Sequence, residues 1–348
     1  MEPLFSPLID LVNRYSSRWK SLYLFVSTSL IHKFTGDGGI ISILSDLTLF
    51  LSPFGLPCRE VGQSSLGTVS PQPQSLKLWN ITPSSVDIQW NNLTQLEALL
   101  HVDGLLEIFH HAHQLVSCIV LSCFEASTME YWVPETPILL RCLQHLEMRS
   151  CLVDPSEIVE AITTPCLRHW NCSFRTEGLT VHEFNSWISH SNCNLEALKL
   201  SGLIAGDGEL VTILKNLPSL LKELSLEPDF ETPRPWLTKE VWNLFRSPRN
   251  TSKHSFFPNL EYFQYNGPQT FSWPDVIGSF FDPPPAYRLQ TLDITVEVDE
   301  HFTPIGPNTL RIIHKLQRSG LDIFIAKRDI DDVGNIFSCS MIDHLDWL

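Results

Sequence analysis

Two short clusters hold the residue types that could support metal chemistry in this chain. One is the run His-His-Ala-His at His110–His113, and the other is the pattern Cys-x-x-His-x-x-Cys at Cys166–Cys172. Imidazole and thiolate groups are the usual zinc ligands, but they must converge on one point. Consecutive helix positions diverge, and His169 and Cys172 fall on opposite faces of a strand. We therefore predict a solvated helix end and core cysteines, with no metal, no cofactor and no catalytic residue.

The local motifs of nucleophilic and phosphate chemistry do not occur in the sequence. Patterns of the G-x-S-x-G, G-x-x-x-x-G-K, G-x-G-x-x-G and H-E-x-x-H types are all missing. We predict that the chain is not an enzyme. A metal-dependent hydrolase that uses the histidines and cysteines stays open as an alternative from a different class.

The charge and hydropathy of the chain limit which kinds of partner it can bind. The chain has 24 Lys and Arg against 39 Asp and Glu, a formal net charge of −15, and no basic run. Clustered basic residues hold nucleic acids and anionic lipids, so we predict neither nucleic acid nor membrane as a partner. The longest apolar run, Ile40–Leu51, contains Asp46 and is too short to span a bilayer. Nine cysteines fall singly along the chain, which predicts an intracellular protein of the cytoplasm or nucleus.

A spaced triplet of apolar residues, of the form L-x-x-L-x-L, recurs along the chain. The clearest copy is Leu195-Leu198-Leu200. The middle apolar residues of the successive copies are Leu22, Leu47, Leu76, Leu96, Cys118, Leu146, Trp170, Leu198, Leu224, Phe263, Leu292 and Ile323. The spacing between them is 20 to 31 residues, with one exception of 39. Most of these spacings match the period of leucine-rich repeats.

The phase of the triplets predicts the architecture. The last two apolar positions of each copy are two residues apart, so they point to one face of a short strand. Segments with helical spacing lie between the strands, at 156–162, 180–188, 210–217, 239–245 and 274–281. Parallel strands joined by such crossovers stack and share one core. We predict an α/β leucine-rich-repeat solenoid, a horseshoe with a parallel sheet on the concave face and helices on the convex face.

The repeat count also predicts the domain organisation. We expect a single leucine-rich-repeat domain over residues 1–348, with about twelve irregular repeats. A stretch rich in Pro, Gly and Ser predicts an irregular segment at 54–73. The longest spacing between triplets holds several prolines and a polar stretch, which predict a loop insertion at 228–258.

Three pairs of phrases resemble one known family. They are Leu-Ile-Asp-Leu-Val at 8–12 before Ser-Arg-Trp-Lys-Ser-Leu at 17–22, Leu-Thr-Lys-Glu-Val at 237–241 before Phe-Pro-Asn-Leu-Glu-Tyr at 257–262, and Arg-Leu-Gln-Thr-Leu at 288–292 before Gly-Leu-Asp-Ile at 320–323. Their order and separation are similar to those in the leucine-rich-repeat region of the F-box proteins of mushroom-forming (basidiomycete) fungi.

The resemblance implies a function for the repeats. In that family an N-terminal F-box recruits the Skp-type adaptor of a cullin (SCF-type) ubiquitin ligase, and the repeats bind the protein substrate. The leucine-proline opening of an F-box does not precede Arg18 in this sequence. We therefore expect a non-catalytic protein-interaction module with a protein substrate of unknown identity. A Skp-type adaptor is expected only if an F-box lies upstream, and an orphan repeat scaffold unrelated to ubiquitination stays open.

Residues that alternate with the core positions of the strands should line the concave face. Tyr, Trp and Arg are the types most often found as binding anchors, so Tyr262, Arg149 and Trp79 lead the candidates. The complete set of predicted partner-binding residues is Trp79, His145, Glu147, Arg149, His169, Asn171, Lys199, Glu223, Glu227, Tyr262, Gln264 and Asp293.

Overall fold

Short parallel strands recur along the chain, and most are joined by helices. A computed structural model describes residues 2–31, 33–36, 43–51, 71–125, 134–174, 179–201, 208–228, 237–245, 257–281, 288–298, 303–329 and 339–340. The chain divides into two compact units. The first contains residues Met1–Leu167 and Phe174–Glu177, and the second contains Arg168–Ser173 and Gly178–Leu348.

The first unit is built on parallel strands with helices between some of them. The strands are β1 (Ser21–Val26), β2 (Asp46–Leu51), β3 (Ser75–Trp79), β4 (Gln95–His101), β5 (Ser117–Phe124), β6 (Ile138–Leu139), β7 (His145–Cys151) and β8 (Ile162–Thr163). The helices are α1 (Glu2–Arg14), α2 (Thr28–Ile31), α3 (Val102–His111) and α4 (Pro155–Val159). Strands β1 to β5 and β7 pair in parallel, in chain order. Strands β6 and β8 form a separate small parallel pair.

The second unit repeats the same plan with a more regular alternation. Its strands are β9 (His169–Phe174), β10 (Ala197–Ser201), β11 (Glu223–Glu227), β12 (Tyr262–Pro268), β13 (Thr291–Val298), β14 (Asp322–Asp329) and β15 (Cys339–Ser340). Its helices are α5 (Val181–Ser191), α6 (Glu209–Asn216), α7 (Lys239–Phe245), α8 (Trp273–Phe281) and α9 (Pro307–Arg318). Strands β9 to β14 pair in parallel, and β15 pairs antiparallel with β14. An α/β fold with parallel strands is thus present in both units.

The strand register aligns the predicted triplets with one another. In the first unit the aligned middle residues are Leu22, Leu47, Leu76, Leu96, Cys118 and Leu146. In the second unit they are Trp170, Leu198, Leu224, Phe263, Leu292 and Ile323. All of them are buried except Leu22, which lies on the end strand and is half-buried. The predicted phase of the strands is confirmed.

A shared backbone acceptor joins most of these strands to the next. The carbonyl of the residue just before a strand accepts two N–H groups from the start of the following one. Arg168 O, for example, accepts from Glu196 N at 2.8 Å and from Ala197 N at 2.9 Å. The same pair of bonds recurs at the carbonyls of Lys20, Ser45, Gln74, Thr94, Val116, Glu196, Lys222 and Glu261. A carbonyl oxygen has two lone pairs, so one residue can fix the start of the next strand.

The helices begin where the sequence indicates. Asp154 caps α4 by accepting from Ser156 N at 2.9 Å, and Pro155 occupies the first helical position. Thr180 and Glu183 form a reciprocal capping box at the start of α5. The helical segments predicted near 156–162, 180–188, 210–217, 239–245 and 274–281 correspond to α4 through α8. Buried apolar side chains from these helices then cover one side of the strands.

Some predictions from the sequence fall on residues that the structure does not describe, some stay untested, and one is wrong. Most of the irregular segment at 54–73 lies outside the described residues, as does most of the loop insertion at 228–258. Helix α7 lies within that insertion. The single repeat domain over residues 1–348 and the horseshoe stay predictions. Ser225 alternates with the core residues Leu224 and Leu226, which predicts an exposed side chain, but it is only 9% exposed. Its hydroxyl donates to Gln264 Oε1 on the neighbouring strand at 2.8 Å.

Strand phase can be tested at two adjacent residues of β10. Leu198 is 2% exposed, whereas the side chain of Lys199 is 42% exposed. Leu198→Asp buries an unpaired charge and should lower the free energy of unfolding by about 3–5 kcal/mol. Lys199→Asp, the matched control, should change it by less than about 1 kcal/mol. Urea unfolding followed by circular dichroism measures both, and equal losses would contradict the assigned phase.

Candidate protein-binding faces

The side chains that alternate with the buried triplets form one solvent-facing surface in each unit. We call the outward side chains of β1 to β5 and β7 the first face, and those of β9 to β14 the second face. In β4 burial alternates residue by residue, and in β7 and β12 it alternates from the first residue through Arg149 and Gly267, respectively. Neighbouring strands lie about 4.8 Å apart, so side chains in one row of a face are close enough to contact each other.

Aromatic side chains form a row across the start of the first face. Phe25, Phe50 and Trp79 occupy the same register position on β1, β2 and β3. The rings of Phe25 and Phe50 are stacked with centroids 4.5 Å apart, and Phe50 meets Trp79 edge-on at 5.1 Å. Tyr23 is 68% exposed and Phe25 is 58% exposed. Exposed aromatic surface of this kind is typical of interaction sites.

Charged side chains follow the aromatic row on the first face. Lys77 forms an ion pair with Glu97 on the neighbouring strand. On β7, Glu147 accepts two hydrogen bonds from Arg149, at 2.9 and 3.3 Å, and lies 3.7 Å from His145 Nε2. Burial raises the pKa of Glu147, but the hydrogen bond and charge of Arg149, aided by His145, outweigh it and lower the pKa below its ordinary value.

A chain of hydrogen bonds crosses three strands of the second face. Ser225 donates to Gln264 Oε1 at 2.8 Å, and Gln264 Nε2 donates to Asp293 Oδ2 at 3.0 Å. The Tyr262 hydroxyl lies 3.5 Å from the same carboxylate oxygen. Burial, the charge of Asp293 and this hydrogen bond together raise the pKa of Tyr262. Asp293 is therefore the shared acceptor that holds Tyr262 and Gln264 in place.

Glu227 organises a second group on the same face. Its Oε2 accepts from the Ser201 hydroxyl at 2.7 Å and lies 3.5 Å from Lys199 Nζ. Its Oε1 accepts from Asn266 Nδ2 at 3.1 Å. These contacts connect β10, β11 and β12, so the polar side chains are held in fixed positions before any partner binds.

A ladder of alternating charges stands where three of these strands begin. Arg168 Nη1 lies 3.2 Å from Glu196 Oε1, and Lys222 Nζ lies 2.6 Å from Glu196 Oε2. The hydrogen bond from Lys222 is the main reason that the pKa of Glu196 is lowered, and the same bond raises the pKa of Lys222. All three groups are in water, so the ladder adds little to stability. It defines the charge pattern at one border of the second face.

The structure groups some of the predicted residues and separates others. It brings together His145, Glu147 and Arg149 in the first unit, and Tyr262, Gln264 and Asp293 in the second. It also brings Lys199 to Glu227. Trp79 is separated from the charged group on β7 by β4 and β5. His169 and Glu223 are exposed and Asn171 is half-buried. Their role in binding stays a prediction.

Several residues on the two faces were missing from the sequence-based set. They are Phe50, Glu97 and Phe324, of which Phe324 is 59% exposed. The signal that could have found them is strict alternation along each strand, which places Glu97 between Leu96 and Ala98, Phe324 between Ile323 and Ile325, and Phe50 after Leu49. The contacts that join Ser201 and Asn266 to Glu227 could not have been found in that way, because they connect different repeats.

The two sequence clusters with metal-ligand chemistry do not assemble a site in the described part of the chain. Cys166 and His169 are exposed, whereas Cys172 is buried in the core. His110 and His111 contact each other with ring centroids 5.0 Å apart. No group of three or more His, Cys, Asp or Glu residues with metal-binding geometry is found among the described residues.

The buried thiols are also poorly suited to chemistry. Burial raises the pKa of Cys151 to about 12 and raises the pKa of Cys193 to about 11. A thiol must ionise to act as a nucleophile or a metal ligand. These cysteines therefore pack as small apolar side chains.

Comparison with known proteins gives no assignment: no protein-family model matches the chain, and no curated protein matches it significantly. Within the described residues, none of the helices has the length and apolar character needed to cross a membrane.

The electrostatic role of Arg149 gives a prediction about Glu147. Arg149→Met removes the hydrogen bonds and charge that offset burial, so the pKa of Glu147 should rise. Carbon-13 NMR titration of the Glu carboxyl groups measures this shift. Because the folded-state pKa is lowered, the pair stabilises the fold at neutral pH and loses this effect as the pH falls.

Arg141→Met provides the matched control for this titration. Arg141 is exposed and has no contact with Glu147 in the described part of the chain. The pKa of Glu147 should be unchanged in that variant. An unchanged pKa in Arg149→Met would show instead that Arg149 does not determine the ionisation of Glu147.

Proposed function

We propose that the chain is a non-catalytic protein-interaction module that binds a protein partner on its solvent-facing strand surfaces. The observation that carries this proposal is the hydrogen-bonded polar surface of the second face. There Asp293 on β13 and Glu227 on β11 hold side chains of β10 and β12, so that contacts link four neighbouring strands. A preordered surface loses little side-chain entropy when a partner binds, and this favours affinity.

The composition of the two faces supports a protein as the partner. Exposed or half-buried aromatic residues lie on both, including Phe25 and Trp79 on the first and Tyr262 and Phe324 on the second. Aromatic residues and Arg are enriched at protein interfaces. A net charge of −15 disfavours nucleic acid as the main partner.

The resemblance of the sequence to the repeats of fungal F-box proteins supports a more specific proposal. In it, the two faces select the substrate of an SCF-type ubiquitin ligase. The repeats would be leucine-rich repeats in a horseshoe, and the protein would work in the cytoplasm or nucleus. The alternative is an orphan leucine-rich-repeat scaffold unrelated to ubiquitination, which would use the same faces with a different partner.

The binding proposal is tested by comparing the affinities of matched variants for one partner protein. Tyr262→Ala and Asp293→Ala alter the second face, whereas Lys215→Ala and Lys239→Ala alter exposed helix positions. A protein recovered by affinity purification is purified and titrated against each variant by calorimetry. The two face variants should weaken its binding roughly 30-fold, or about 2 kcal/mol, because both act on one central cluster. Equal binding by all four variants would contradict this assignment of the surface.

The ligase proposal has its own test. The purified chain is mixed with a Skp-type adaptor and examined by size-exclusion chromatography, with an intact F-box protein as the positive control. Co-elution with the adaptor would support a role in a ligase. If an F-box is encoded upstream, the extended chain is used. Failure of the longest encoded chain to co-elute would refute the ligase role and leave the protein-binding role standing.

A further inference from the structure

Strand β1 has an open edge. It is the end strand of its sheet and pairs with β2 on one side only. Lys20, the residue before it, directs its carbonyl toward the start of β2. Backbone groups alternate in direction along a strand, so the N–H and C=O groups of Ser21, Tyr23 and Phe25 point to the other side. Within the described part of the chain, no backbone hydrogen bond reaches them there.

The sequence of β1 contains nothing that prevents another strand from pairing at this edge. Natural edge strands are commonly protected by Lys, by Pro, by a bulge or by a covering segment. Strand β1 reads Ser-Leu-Tyr-Leu-Phe-Val, without a charge or a proline, and it pairs with β2 without a bulge. In the second unit, β14 is covered on one side by the antiparallel strand β15. An added antiparallel strand is therefore a form of cover that the protein already uses.

Helix α1 adds an exposed apolar stripe to the same unit. Phe5, Leu8 and Leu11 are spaced three residues apart and are 46–58% exposed. Asn13 Nδ2 donates to Lys33 O at 2.7 Å, in the segment between α2 and β2. Leu8 and Leu11 lie roughly 140–160° around the helix from Asn13. Helix α1 and strand β1 thus both contact the chain that follows them on one side, and both leave the other side uncovered by the described residues.

The open edge of β1 is complementary to a second copy of itself. The same edge of two copies pairs antiparallel about a two-fold axis, and directly opposite residues then point to the same side. With Leu24 opposite Leu24 of the second copy, Leu22 lies opposite Val26 on the buried side. Tyr23 then lies opposite Phe25 on the outward side. Both of these residues direct their backbone groups to the open edge, so each such pair can exchange two N–H···O bonds.

The exposed apolar area is of the size that a stable dimer needs. We call the open edge of β1, with its outward aromatic residues, and the stripe of α1 the end surface. Its large side chains are 46–68% exposed, and they are Phe5, Leu8, Leu11, Tyr15, Tyr23 and Phe25. At about 200 Å² for a large side chain, they present about 650 Å² per copy. Two copies would bury about 1,300 Å², and specific interfaces start at about 1,200 Å².

We propose that two copies of this chain associate through the end surface, with β1 antiparallel to β1 of the second copy and with the two α1 stripes in contact. The sheets of the two first units then continue into each other across the two-fold axis. Tyr23 of the second copy extends the row of Phe25, Phe50 and Trp79. The association needs no partner on the two faces, so it stands or falls separately from the proposed function.

Analytical ultracentrifugation of the full chain tests the association. The natural chain should sediment as a dimer at micromolar concentration. Tyr23→Lys with Phe25→Lys places like charges opposite each other at the pairing edge, and edge lysines oppose strand addition. Leu8→Glu with Leu11→Glu places like charges in the stripe of α1. Each double variant should weaken the dimer at least about 100-fold, because it alters the centre of a small interface.

A matched control separates the end surface from apolar surface in general. Leu220→Glu with Ile312→Glu introduces the same charges at side chains that are 48% and 46% exposed elsewhere in the chain. The dimer dissociation constant of this variant should equal that of the natural chain. Equal weakening in the control and in the end-surface variants would assign the association to another cause and overturn the proposal.

Hydrogen exchange of the natural chain locates the interface without any substitution. Amides of Tyr23 and Phe25, resolved singly by fragmentation in the mass spectrometer, should exchange at least about tenfold more slowly above the dimer dissociation constant than below it. The Leu24 amide points to β2 and serves as the internal control, since its exchange should change little. A natural chain that stays monomeric at about 100 µM, or a dimer whose Tyr23 and Phe25 amides gain no protection, would overturn the proposal.

Discussion

Pairing of parallel strands depends on where the next strand starts, and in most strand pairs of this protein a shared carbonyl sets that start. The carbonyl before one strand accepts two backbone N–H groups from the next, as at Arg168 and Glu196. The bond pair sets the register, and the register aligns the apolar triplets into buried rows. It also tolerates variable spacing, since Lys222 O still accepts from Glu261 N and Tyr262 N across the longest gap between triplets. Insertions can therefore lengthen a repeat without shifting its strand.

The same constraint makes the outward side of the strands an ordered surface. Side chains in one register row are about 4.8 Å apart, close enough for Gln264 to reach Asp293 and for Ser201 to reach Glu227. Gln264 and Asp293 satisfy polar groups of one another in this way, as do Ser201 and Glu227.

Each unit also exposes helix side chains apart from its strand face. In the first unit, α1 exposes Phe5, Leu8 and Leu11. In the second unit, α9 exposes Arg311, Lys315 and Arg318. The two units therefore differ in the chemistry of their exposed helix surfaces, which are apolar on α1 and basic on α9.

The sequence by itself determined the strand phase, the core rows and most helix starts, because these depend on local periodicity and capping residues such as Asp154 and Thr180. It also indicated which side chains point outward. Only the tertiary structure decided which of them meet. Glu147 contacts Arg149 within one strand, but Glu227 collects Ser201, Lys199 and Asn266 from strands on either side. Those contacts join residues up to 39 positions apart, and the physical reason is that register between repeats, rather than sequence within one, places them together.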